Sequence, residues 1–61
     1  MYSLWLVVEG RKYALRRRYS YTAACRLASV AAEKLTRVHR AEVTDVRDGK
    51  IVFTVESVNR Y

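Results

Sequence analysis

The chain has 61 residues, 51% of them apolar, with one cysteine and no proline, and its 12 basic against six acidic side chains give a net charge of +6. That length makes one domain, and that composition argues against disorder. A single cysteine (Cys25) and a single histidine (His39) exclude an internal disulfide and a closed zinc site within one chain.

A domain this short buries only about 60% of its unfolded surface. With no covalent staple available, self-association into a homodimer is the expected reinforcement. The longest apolar run, residues 4–8, is far shorter than the ~20 residues a membrane span needs. No membrane partner is expected. Residues 1–8 lack the basic start and small-residue cleavage site of a secretory signal. An unpaired cysteine fits a reducing compartment, so the expected location is cytoplasmic.

Residues 2–8 (YSLWLVV) are aromatic and β-branched, which predicts a strand. Leu4, Leu6 and Val8 alternate with Trp5 and Val7, so both faces are apolar and the strand reads as central in its sheet. Glu9-Gly10 is a turn signal, and residues 11–18 return as a second strand. A two-residue turn sets Leu4 against Leu15 and Leu6 against Tyr13. The other face then carries Trp5, Val7, Lys12, Ala14, Arg16 and Arg18. A slip by one residue would exchange the faces. The apolar pattern favours this register, although it asks Glu9 for a positive φ. In it Tyr13 is a core residue.

Ser20 or Thr22 can cap a helix over residues 21–37. Ala24, Leu27, Ala28, Ala31, Leu35 and Val38 form its apolar stripe, and Arg26, Ser29, Glu33, Arg37 and Arg40 the opposite face. Residues 41–47 and 50–58 flank Asp48-Gly49 as a second hairpin. A three-residue loop with Gly49 left-handed pairs Val43 with Phe53 and Ala41 with Val55, and adds Ile51 to the same apolar face. The order β-β-α-β-β predicts an α+β domain spanning residues 1–61. Its four-stranded antiparallel sheet has the order 2-1-3-4 and carries one helix on one face. The opposite face, with Trp5 and Val7, is left open, and an open apolar patch on a small domain marks an interaction surface.

The charge is segregated. Arg11, Lys12, Arg16, Arg17, Arg18 and Arg26 fall between residues 10 and 32 without a single acid, while the other six basic residues are matched by the six acids. One-sign fields attract anionic partners. Guanidinium groups fork onto phosphate, and aromatic rings stack on bases. Trp5, Tyr19 and Tyr21 are the stacking candidates. Strand alternation would put Arg16 and Arg18 beside Lys12 and Trp5, with Arg17 on the other side. The same charges would also protect an edge strand from aggregation.

Cys25 reads as a small, partly buried apolar side chain, because the one histidine lies about four turns away at the far end of the helix. There His39 suits the helix dipole. The acids are scattered and no Gly-rich phosphate loop is present, so neither catalysis nor a cofactor is expected. The layout is similar in topology to small bacteriophage proteins that bind and inhibit host enzymes. That resemblance implies a protein-interaction module docking through the open sheet face. RNA-recognition modules also show basic and aromatic residues on an open sheet, but their βαββαβ order needs two helices. The sequence therefore predicts non-catalytic binding of nucleic acid, DNA or RNA, with an acidic protein surface as the alternative partner.

Overall fold

A computed structural model of the chain describes residues 1–57. Strand β1 (Tyr2–Val8) pairs with β2 (Arg11–Ala14); helix α1 (Tyr21–Lys34) follows; β3 (Val38–Asp45) then pairs with β4 (Ile51–Glu56). All pairings are antiparallel and the spatial order is β2-β1-β3-β4. This is the expected α+β domain, with β1 in the interior as its two apolar faces demand. The tail positions expected in the last strand and at the terminus, Val58 and Tyr61, lie outside the described residues.

The first hairpin has the two-residue turn. Leu6 faces Tyr13 and Trp5 faces Ala14. Glu9 and Gly10 take φ of 51° and 79°, as a primed turn requires. The apolar register thus prevails over the local cost of a left-handed glutamate. In the second hairpin Val43 faces Phe53 and Ala41 faces Val55, with Gly49 left-handed at φ 72°. A bulge follows, and Ile51 pairs with Thr44 instead of joining the apolar face. The Asp45 N–H donates to the Lys50 carbonyl at 3.0 Å, so the loop is one residue longer than expected.

Strand β2 stops at Ala14, short of residue 18, and the arrangement beyond it is informative. Leu15 still donates its N–H to the Leu4 carbonyl at 2.9 Å. An unbroken ladder would next set Arg17 opposite Tyr2, its side chain aimed under the helix. Burying an unpaired guanidinium there would cost several kcal/mol. Instead Tyr19 takes that place and exchanges two 2.9 Å hydrogen bonds with Tyr2. Arg16, Arg17 and Arg18 arch outward, three residues against the single Ser3.

The helix ends at Lys34, three residues early. No glycine or proline stops it; the sheet does. Val38 enters β3 opposite Val8 and is only 3% exposed. His39 consequently sits on a strand and not at a helix end. Ser20 caps the start of α1, its Oγ accepting the Ala23 N–H at 3.3 Å. The buried face of the helix is Ala24, Ala28, Ala31 and Ala32. Leu27 and Leu35, expected inside, are 39% and 50% exposed. Among the described residues five of the eight buried apolar side chains are alanines, so the helix lies close on Leu4, Ala41 and Val43 and the core is small.

Candidate functional site

The two faces of the sheet differ from expectation in a way that relocates the site. On the helix-free face, Trp5 is half-buried and its Nε1–H donates to Thr44 Oγ1 at 3.2 Å. Beside it Glu42 is only 3% exposed. Its carboxylate takes the Lys12 ammonium at 2.9 Å and the Arg40 guanidinium at 3.5 Å. Val7 lies between Lys12 and Arg40 in register, so their aliphatic stems can cover it. The open face is therefore a polar network with an acid at its centre, not a bare apolar patch. Lys12 is committed to that acid.

The arginine arch is the other half of the basic block. Its two feet are fixed: Leu15 is bonded to Leu4, and Tyr19 to Tyr2. Arg16, Arg17 and Arg18 are all exposed on it. Arg18 folds back toward the open face, its Nη1 donating to Ser3 Oγ at 3.0 Å. Among the described residues neither Arg16 nor Arg17 has a hydrogen bond or ion pair. The alternation expected to split Arg17 from its neighbours is gone, because the arch is not a strand.

The arch runs directly into the N-terminus of α1. The first turn of that helix holds no acid, and Ser20 alone caps it. A helix N-terminus carries roughly half a positive charge, so it reinforces the guanidinium groups rather than neutralising them. Tyr21 opens the helix, 46% exposed, its ring edge-on to Tyr2 with centroids 5.3 Å apart. The Tyr21 phenol titrates above its usual range. The main cause is a hydrogen bond shared with the Cys25 side chain, followed by charge interaction with that thiol. Arg26 is exposed on the same helix, about 9 Å along its axis from the cap.

The remaining candidates fall elsewhere. Arg11 stands at the turn end of β2, opposite Val8, roughly 13 Å of strand from the arch. Tyr19 is half-buried and packs against the core, so its ring is structural. Tyr13 reverses its expected role: it is 52% exposed, because α1 packs on β1, β3 and β4 and does not reach β2. Arg16, Arg17 and Arg18 thus adjoin Tyr21 at the start of α1, Arg26 is exposed further along that helix, and Arg11, Lys12 and Trp5 stand apart from them.

Cys25 is a free, half-buried thiol. No group of three or more His, Cys, Asp and Glu suited to a metal ion exists among the described residues. No helix among them is long and apolar enough to cross a membrane. No family model, curated protein or solved structure matches the chain.

Proposed function

We propose that this chain is a non-catalytic nucleic-acid-binding protein whose contact surface is the arginine arch and the adjoining start of α1. The observation that carries the reading is the arch itself. Three adjacent arginines are carried on two hydrogen-bonded feet, Arg16 and Arg17 with guanidinium groups free among the described residues and Arg18 bonded to Ser3, with no acid on the arch or in the first helical turn. Guanidinium forks suit phosphate oxygens. Tyr21 supplies an exposed ring for stacking, and Arg26 extends the cationic track along the helix. Contacts of this kind follow the backbone and carry no base readout by themselves.

The alternative, docking of a protein partner on the open sheet face, has less support. The centre of that face is occupied by Glu42 and its two ion pairs. Lys12 and Arg40, the exposed cations of that face, are both engaged by the buried Glu42 carboxylate.

The test is a fluorescence anisotropy titration with mixed-sequence single- and double-stranded oligonucleotides at 50 and 200 mM salt. Affinity should fall steeply with salt, since each phosphate contact releases counterions. Replacing Arg16 and Arg17 together by alanine should weaken binding at least tenfold at low salt and lower the salt slope by about two. Lys12→Ala should change affinity less than twofold, because Lys12 serves Glu42. No binding at low salt, or an equal loss for both variants, would overturn the proposal.

A further inference from the structure

The largest unexplained feature lies on the helix side of the sheet. Four strands about 4.8 Å apart make a face roughly 19 Å wide, and one helix covers about 10 Å of it. Helix α1 sits over β1, β3 and β4, so the β1–β2 half has no roof. Between the helix flank and the hairpin runs a groove of about 260 Å³ with no charged residue in its lining. Its floor is Leu6 and Leu15, with Tyr13 beyond them. Its wall is Leu27, Val30 and Leu35.

Leu27, Val30, Leu35 and Tyr13 are 39%, 43%, 50% and 52% exposed. With the half-buried floor they present on the order of 400 Å² of apolar surface. A standard specific interface buries about 600–1,000 Å² per partner, and at the roughly 65% apolar share of homodimers about 400–650 Å² of that is apolar. The uncovered area therefore reaches the lower end of one side of such an interface.

We propose that the occupant of this groove is a second copy of the chain, docked by a two-fold axis that lays each α1 on the partner's β1–β2 hairpin. The missing element is a second helix beside the first. Each copy presents one helix flank as a ridge and one bare hairpin as a floor, side by side, so a two-fold rotation satisfies both at once. The groove lining itself carries no charge, while the outward face of α1 brings Arg26 and Glu33 toward the partner's Arg11 at the rim of the contact. The result is two helices between two sheets. The open sheet faces, to which Arg18 is tied through Ser3, remain outside with the arch, and of the proposed nucleic-acid contacts only Arg26 borders the interface.

Native mass by light scattering tests it on the whole chain. The expected mass at 100 μM is twice the 7.1 kDa of one chain. Val30→Glu should shift dimerisation to at least tenfold higher concentration while the circular dichroism of the sheet and helix is retained. Val52→Lys, on the free edge of β4, should leave the dimer intact. Should Val30→Glu fail to fold, Val30→Cys in a Cys25→Ser chain serves instead, and mild oxidation should give a covalent dimer. A 7.1 kDa species at millimolar concentration would overturn the proposal. So would a dimer that survives Val30→Glu, one that is lost with Val52→Lys, or a Val30→Cys chain that stays monomeric on oxidation.

Discussion

Two residues show how local cost is absorbed by the surrounding ladder. Glu9 holds φ of 51° without being glycine, because every pair on the hairpin depends on the register that this turn sets. Asp45 performs a comparable task at the other hairpin. Its Oδ1 accepts the Arg47 N–H at 2.9 Å and lies 3.7 Å from the Arg47 guanidinium. The backbone hydrogen bond is the main cause of a carboxyl that titrates below its usual range, and the Arg47 charge adds to it. The folded state thus favours the ionised form. Asp45 contributes stability that is complete above the pKa of the unfolded carboxyl and disappears as pH falls through the lowered folded value. Urea midpoints measured from pH 7 to pH 2 should fall less steeply below pH 4.5 for Asp45→Asn than for the parent chain. Parallel curves would show that this carboxylate does not contribute to the acid response.

At the scale of elements, the arch is the clearest case of a strand interrupted for a reason. Three residues stand opposite one, so deleting Arg17 and Arg18 would leave Arg16 facing Ser3 and restore an unbroken ladder from Leu15 to Tyr19. The shortened chain should keep its fold, with a urea midpoint equal to or above that of the parent. Its oligonucleotide affinity should drop at least tenfold at low salt. Loss of folding would show that the arch is a structural requirement. The strand order was legible in the sequence because β1 is apolar on both faces, and the first register because Leu4–Leu15 and Leu6–Tyr13 agree. The end of β2 was not, because three arginines read as alternating strand residues until the helix makes one face forbidden to Arg17. Nor was the rotation of α1. Its stripe mixes alanine with leucine, and only the limited width of one helix on four strands decides that Ala32 goes inside while Leu27 and Leu35 stay out. The commitment of Lys12 to Glu42 joins residues on strands separated by β1, so it follows from two registers together and from neither hairpin alone.

For the molecule as a whole, the limiting quantity is the core. Val43 is the one large side chain that is completely buried among the described residues, and alanines make up most of the rest. Stability near 0.05–0.15 kcal/mol per residue gives a chain of this length about 3–9 kcal/mol in total. Leu4 is 2% exposed, contacts the Ala24–Ala28 face of α1, and also underlies the groove beside the hairpin. Truncating it removes packing on both sides of that floor. Leu4→Ala should cost about 3 kcal/mol, a large part of the total, because small rigid alanines cannot shift to fill the void. The comparison needs equal chain concentrations, since self-association would raise the apparent stability of the folded state by mass action. Urea unfolding followed by circular dichroism provides the measurement. A loss below 1 kcal/mol would mean that the helix and sheet are held together away from Leu4. A loss near 3 kcal/mol would leave a chain close to the folding threshold, in which the uncovered groove is a structural deficit that a second copy can relieve.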